Sequence, residues 1–339
     1  MVDFYAVFTF LLNFVLPKFR MKVVLLAAGL GKRLEPMTSS IPKPMIMISG
    51  KPILEHIIVD LKKSGFTDFC IVIGYLGDKI KSHFGDGTSL GIHISYVEQE
   101  NFSGTASATK LAENFVHDDS FLLYLADTII PKNLENHLQN MIDSDFEICI
   151  LSSETDQLKI GNVGNIEVKA DYVLKITEKS IISKSNLSWA GIAFFKNNYI
   201  FKIIENLQPS QRGEFEITEA MNLILIHNRK IGNFTCKKYV DAGTISGILD
   251  LNEIILNQDN VFHADKINNE IKIKNPIYVG KNCHVGKNVE LGPFVSIGDD
   301  VCIGDNVKLE HTIVLDNSNI RSNEIISRSV IDSKNNVLS

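Results

Sequence analysis

Residues 26–43 read LAAGLGKRLEPMTSSIPK, and the reading of this stretch decides the fold. It continues an apolar run, residues 23–27, that reads as a buried strand. The chain then turns on Gly29 and Gly31, where the missing Cβ lets bare N–H groups approach anionic oxygens. Arg33 and Lys43 add two fixed positive charges, so the loop suits a triphosphate. A G-x-G turn taken alone is only a tight connection. The residues downstream supply its context.

From Lys22 onward apolar strands alternate with amphipathic helices, the pattern of a sheet covered on both faces. Ile53, Leu54, Ile57, Ile58 and Leu61 form a helical stripe over Ile53–Lys63 that Gly65 ends. Strands are expected at residues 69–73, 92–97 and 121–125, and helices at 78–84 and 105–115. Ligands in such doubly wound sheets lie beyond the carboxyl ends of the strands. Residues 29–33 and Asp127 both fall at such ends. Residues 146–195 are richer in strands and read as a sugar-binding half. A strand at 233–240 and helices at 217–227 and 245–256 close the domain.

After about residue 257 the apolar period becomes six. Val279, Val285, Leu291, Ile297, Ile303, Leu309 and Leu315 recur at that spacing, and Gly280, Gly286, Gly292, Gly298 and Gly304 each follow one of them. A second column holds Cys283, Val289, Val295, Val301, Val307 and Ile313. This is the hexapeptide signature of a parallel β-helix, in which stacked coils bury aliphatic columns. At about 18 residues per coil, three to four coils fit, and the register weakens after Leu315. The expected fold class is a Rossmann-like α/β mixed sheet followed by a short left-handed β-helix. The expected divisions are residues 1–20, 21–258 and 259–339.

The chain has 339 residues, more than one core normally holds. Its net charge of −6 argues against a nucleic-acid-binding surface, which shows as a basic patch or domain. Any anion site must be local. The five cysteines are dispersed, odd in number and form no C-x-x-C pair, which suits free thiols in a reducing cytosol rather than a disulfide framework or zinc site. The apolar stretch at residues 4–16 is too short for the roughly 20 residues that span a bilayer. Residues 1–20 therefore read as an extension from an upstream start, non-native or disordered, in preference to an interfacial anchor. A cytoplasmic protein with no membrane partner is expected.

The pieces G-x-G-x-R-L-x-P-x-T, P-K-P, VEQENFSGTASA (97–108), LLYLADT (122–128), TEKS (177–180), WAGIAFF (189–195), RGEFEITEA (212–220) and VDAGT (240–244) occur in one order over residues 21–256. Together they resemble the sugar-1-phosphate nucleotidyltransferases. The six-residue repeats resemble the tail of the long glucose-1-phosphate thymidylyltransferase type. The resemblance implies a cytoplasmic Mg²⁺-dependent enzyme, working as a homo-oligomer, that joins a nucleoside triphosphate to a hexose 1-phosphate. Glucose 1-phosphate with dTTP or UTP is favoured. It places Ala28, Gly29, Gly31, Lys32, Arg33, Gln99 and Gly104 on the nucleotide. Gly164, Glu178, Lys179 and Gly191 fall on the sugar phosphate, Asp127 and Asp241 on the metal. Arg33, Lys43 and Lys179 would carry the chemistry.

Each of these residues has a plainer reading. An Asp ending a strand is most often a turn or helix cap, a Glu-Lys pair is usually solvated surface, and Glu214 and Glu216 suit an ordinary helix start. A Mg²⁺ ion held by one or two carboxylates and substrate phosphates is nevertheless the usual nucleotide arrangement. Gln99 both donates and accepts, which matches the O4 and N3–H edge of uracil or thymine. The sequence departs from the family at Ala126, Ser180 and Ile245. Rival readings are a mannose-1-phosphate guanylyltransferase, an acyltransferase or bifunctional enzyme using His284 or His311, and a non-catalytic regulatory relative.

Overall fold

A computed structural model describes residues 21–155, 164–179, 185–259 and 271–339. The expectations for residues 1–20 and for Ser180 lie outside these. Two compact units emerge: residues 21–29 with Ile57–Tyr239, and Leu30–His56 with Val240–Ser339. They interleave along the chain, whereas the division expected from sequence is linear. The C-terminal repeats share a unit with the loop that follows Gly29.

The first unit is built on one mixed sheet of nine strands: β1 (Lys22–Leu26), β2 (Asp68–Ile73), β3 (His93–Glu98), β4 (Phe121–Leu125), β5 (Ile148–Glu154), β6 (Gly164–Lys169), β7 (Tyr172–Glu178), β8 (Leu187–Phe195) and β9 (Ile231–Thr235). Their spatial order is β3-β2-β1-β4-β8-β5-β9-β7-β6. The first four are parallel, with Val23 level with Phe69 on one side and Leu122 on the other. The unbroken apolar runs of β1, β2 and β4 follow from burial on both faces, whereas the edge strand β3 leaves His93, Ser95 and Glu98 exposed. β8 then pairs antiparallel to β4 and β5. Phe121 stacks on Phe195 and Phe201 at centroid distances of 4.8 and 5.5 Å, which fastens β4 and β8 to the helix Tyr199–Glu205.

The stripe over Ile53–Lys63 forms the helix the spacing predicts, and all five stripe residues are buried. Its end is a Schellman motif: Gly65, at φ +97°, donates to Lys62 O, and Phe66 donates to Leu61 O while burying its ring. The helix expected at 105–115 divides into Thr105–Lys110 and Glu113–Val116. Thr109 Oγ1 donates to Thr105 O at 2.8 Å, a back-bond that bends helices. The strand expected at 233–240 likewise ends at Thr235, and Val240–Asp241 is a separate short strand.

In the second unit the hairpin Met47–Ile48/Lys51–Pro52 turns on Ser49 and Gly50, both at positive φ as a two-residue primed turn requires. The repeats form three stacks of parallel strands. Ile277–Val279 pairs with Val295–Ile297, and His284–Val285 with Cys302–Ile303, each 18 residues on. Three strands per coil fit a β-helix. The columns expected to be inward are buried from Val289 to Ile313, while Cys283 and Val285 in the first coil are half-buried. One phase slips: Ile297 is level with Val314 rather than Leu315, and buried Thr312 falls in Val295's column. The corner at His311 is one residue shorter than the corner Gly292-Pro293-Phe294. Val337–Leu338 turns back antiparallel on Val330–Ile331 and covers that strand's free edge. Among the described residues no helix is long and apolar enough to cross a membrane.

Candidate active site

In the second unit, Gly31 sits at φ +66° and caps the 3₁₀ turn Lys32–Leu34. A Cβ there would come within 3.0 Å of Thr38 Cγ2, and the Thr38 hydroxyl donates to Gly31 O at 3.0 Å. Leu34, Met37 and Thr38 are buried, so they anchor the loop while Lys32 and Arg33 remain exposed. Lys43 opens a further turn, Lys43–Met45, and is half-buried. Asp241 Oδ1 accepts the Gly243 N–H at 2.8 Å. A Cβ on Gly243 would collide with that oxygen and lie 2.7 Å from an Arg33 Nη. A side chain there would displace both groups, and the arrangement sets a candidate phosphate-binding cation beside a candidate metal carboxylate.

In the first unit, Ala28 and Gly29 follow β1, Gln99 follows β3 and Asp127 follows β4, all at the carboxyl edge of the parallel strands. Gly29 is exposed, and a Cβ added to it would meet nothing within 4 Å, whereas Ala28 is buried. Gln99 is buried, its backbone N–H donating to Ile73 O and its Nε2 to Gly104 O (3.1 Å) and Ser107 Oγ (3.3 Å). A carbonyl can only accept, so Gly104 O fixes the amide's direction and leaves Oε1 as the atom able to meet a base. This narrows the expectation from sequence: the amide offers acceptance alone. Thr128 Oγ1 lies 3.4 Å from Asp127 Oδ1.

Gly104, at φ +121°, permits the closest backbone approach in this group. A Cβ there would overlap Phe215, whose N–H donates to Ser103 O and whose carbonyl accepts from Ala106. The same segment runs on into the helix Ile217–Ile226, where Thr218 Oγ1 donates to Glu178 Oε2 at 3.3 Å. One turn later Asn222 brackets Ile176, accepting from its N–H at 2.9 Å and donating to its carbonyl at 2.7 Å. Residues 212–218 therefore bridge the Gln99 loop to the end of β7. Glu178 is level with Gly164, where a Cβ would sit 3.1 Å from Glu178 Oε2. Lys179, at φ +46°, lies 3.7 Å from Glu178 Oε1. Gly191, at φ +73°, occupies a bulge in β8 against Leu125, and its neighbour Trp189 donates to Ile192 O.

Arg212, Glu216 and Thr218, which the sequence offers only as part of a helix start, are joined in one cluster near Glu178. Arg212 Nη1 donates to Glu216 Oε1 at 3.1 Å, and Ser210 Oγ donates to the same oxygen at 3.2 Å. Burial pushes the Glu216 carboxyl above its ordinary value and Glu178 adds to this, while Arg212, Ser210 and Lys179 oppose it. The signal was present as R-G-E-F-E-I-T, but helix-start acids are common enough to hide it. Among the described residues no three His, Cys, Asp or Glu side chains are grouped to hold a metal ion.

His311 Nδ1 lies 2.6 Å from Glu253 Oε1 and its ring packs on Phe294 at 5.0 Å, so this ring is engaged within its own unit. His284 is exposed on a coil strand.

A family model described as nucleotidyl transferase matches residues 22–258, and one described as the GMPPB C-terminal domain matches 253–339. The low-salt glycan biosynthesis nucleotidyltransferase Agl11 of Haloferax volcanii is 32% identical over 71% of this chain and 68% of its own length. The bifunctional protein GlmU of Methanococcus maripaludis is 36% identical over 70% of this chain and 55% of its own. A glucose-1-phosphate thymidylyltransferase of Streptomyces griseus is 27% identical, with coverage of 70% and 66%. The chain thus spans between about half and two thirds of these relatives. The crystal structure of a Bacillus anthracis protein described as a glucose-1-phosphate thymidylyltransferase superposes with a TM-score of 0.63 at 28% identity, covering 71% of this chain and 97% of that one.

Proposed function

This chain belongs to the nucleotidyl transferase family, and on that premise we propose that it transfers a nucleotidyl group to a hexose 1-phosphate, releasing pyrophosphate. The observation that carries the reading is the bridge at residues 212–218, which ties the Gln99–Gly104 loop to Glu178, the neighbour of Lys179, by hydrogen bonds. A base-reading group and a sugar-phosphate-reading group are thereby braced against one another, as alignment of two substrates demands. The donor is dTTP or UTP, whose N3–H suits Gln99 Oε1. The acceptor is glucose 1-phosphate.

The acceptor's phosphate oxygen attacks the α-phosphorus in line. It is ionised at neutral pH and needs no general base, so the protein's work is positioning and charge neutralisation. Lys179 orients the incoming phosphate, Lys43 neutralises the α-phosphate and Arg33 holds the departing pyrophosphate side. Gly29 and Gly31 present backbone donors to the triphosphate, beside Ala28 and Lys32. Glu178 accepts from sugar hydroxyls, with Gly164 and Gly191 giving the sugar room. Asp127 and Asp241 would hold Mg²⁺, which when bound supplies neutralisation of the phosphate charge.

The GTP and mannose 1-phosphate pair is the second reading, favoured by one observation: with Gln99 Nε2 engaged by Gly104 O and Ser107 Oγ, the acceptor Oε1 suits a guanine N–H as well. We assign the C-terminal coils, as a left-handed β-helix described over residues 271–339 of the expected division 259–339, to assembly of a cytoplasmic homo-oligomer rather than to a second reaction. His311's engagement with Glu253 supports that assignment. A panel of dTTP, UTP, ATP and GTP against hexose 1-phosphates, followed by pyrophosphate release, tests the reading. Release above background with one pair or more is expected, greatest with a pyrimidine nucleotide.

A further inference from the structure

Glu216 begins the helix Ile217–Ile226 and is buried, its side chain 5% exposed. Oε1 is doubly engaged, by Arg212 and Ser210. Oε2 is buried and has no hydrogen-bond partner among the described residues. A carboxylate oxygen held in that state is costly, and proteins seldom keep one without a use. Two further side chains act on it electrostatically, the Glu178 carboxylate and the Lys179 ammonium. Glu178 is fixed by Thr218, two residues beyond Glu216. The neighbourhood thus holds two carboxylates from different elements, each with one oxygen tied by the protein, and two cations, Lys179 and Arg212. A group matching this pattern presents hydroxyl donors next to an anion. A sugar phosphate does so, whereas a nucleobase or an inorganic anion does not.

We propose that Glu216 is a specificity-determining residue for the acceptor: its Oε2 takes a hydrogen bond from a hydroxyl of the sugar 1-phosphate, so that Glu178 and Glu216 together read the hydroxyl pattern. The assignment rests on the nucleotidyl-transfer reading of the same site. Glu216→Gln is the informative change, because its amide oxygen still accepts from Arg212 and Ser210 while its NH₂ replaces Oε2. A donor then faces a donor.

The test measures initial rates for wild type and E216Q with the sugar 1-phosphate and its monodeoxy analogues. E216Q should raise KM for the sugar 1-phosphate about tenfold or more, the loss of one hydrogen bond to a charged group, and leave KM for the nucleotide within about twofold. Wild type should penalise one monodeoxy analogue by a similar factor, and E216Q should abolish that one penalty. A purely structural Glu216 predicts instead a lowered Tm and equal losses with every analogue, which would overturn the proposal, as would an unmoved KM. If E216Q does not fold, Glu178→Gln decides: a tenfold penalty must persist there at a hydroxyl position this variant does not lose. No persisting penalty overturns the proposal. Absence of turnover by the wild-type chain with every substrate pair would defeat the nucleotidyl-transfer reading itself, a result distinct from an active enzyme indifferent to E216Q.

Discussion

Gly29→Ala separates the loop's folding from its chemistry. Gly29 lies outside the left-handed region and a Cβ there meets nothing within 4 Å, so alanine is accommodated without strain. Its effect on stability should be a gain of about 0.4–1 kcal/mol through the unfolded chain, and Tm should rise by no more than about 4 °C. If the Gly29 backbone approaches the triphosphate, the added methyl fills the space the phosphate oxygens need. Losing one hydrogen bond to a charged group costs about 1.5–3 kcal/mol, which lowers kcat/KM for the nucleotide by roughly 10- to 150-fold. Gly31→Ala is the contrast. Its φ of +66° and the Thr38 methyl 3.0 Å away make alanine strained by about 1–2 kcal/mol or more, so Tm should fall by several degrees. The assays are thermal unfolding and initial rates of pyrophosphate release against nucleotide concentration. A Gly29→Ala enzyme with unchanged Tm and kcat/KM within twofold of wild type refutes the cradle.

Lys179→Ala should lower kcat by about 10²–10³, the cost of losing one preorganised charge donor, and turnover within a few-fold of wild type would remove Lys179 from the reaction. Asp127→Asn and Asp241→Asn should each raise the Mg²⁺ concentration needed for half-maximal rate, since the amide keeps shape but not charge; metal titrations unchanged in both variants would end the shared-metal assignment. Gln99→Glu should destabilise by about 1–3 kcal/mol in urea unfolding, because a carboxylate cannot donate to Gly104 O and would face it unsatisfied; an unaltered midpoint would show that this amide does not brace the loop. Glu216 holds its proton more tightly in the folded chain than at the ordinary value of 4.5, so its contribution favours folding as pH falls toward that value and is lost above the raised value. The stability of Glu216→Gln relative to wild type should therefore fall as the pH is lowered from neutrality toward the ordinary value, and a difference that rises instead would contradict the burial of a charged carboxylate.

Much of the fold was legible because its signals are local and periodic. The stripe on Ile53–Lys63, its Gly65 stop and the six-residue columns each repeat a short rule, and the structure follows them. Where a single polar side chain competes with the backbone, periodicity misleads. Thr109 divides the helix expected at 105–115, and one residue fewer at the His311 corner shifts Val314 into the place expected for Leu315. The candidate site divides in the same way. Glycines and charges in the signature loop announce themselves by residue type, whereas the bridge through Phe215, Thr218 and Asn222 is made by backbone groups and neutral side chains that join residues 99–107 to 164–178. Such pairings depend on which strand ends meet, and no spacing encodes that. Gln99 illustrates the limit: its residue type gives both donor and acceptor, but Gly104 O consumes the donor.

The central claim is that this chain joins a nucleotide to a sugar phosphate, and product analysis of one reaction tests it most directly. The purified full-length chain is incubated with Mg²⁺, dTTP and glucose 1-phosphate, and the nucleotide sugar and pyrophosphate are quantified by mass spectrometry and phosphate chromatography, with UTP and GTP in parallel. The account predicts equal amounts of the two products with at least one nucleotide, and neither product when the sugar 1-phosphate is omitted. Pyrophosphate released without a sugar nucleotide, or no product from any pair, would contradict it.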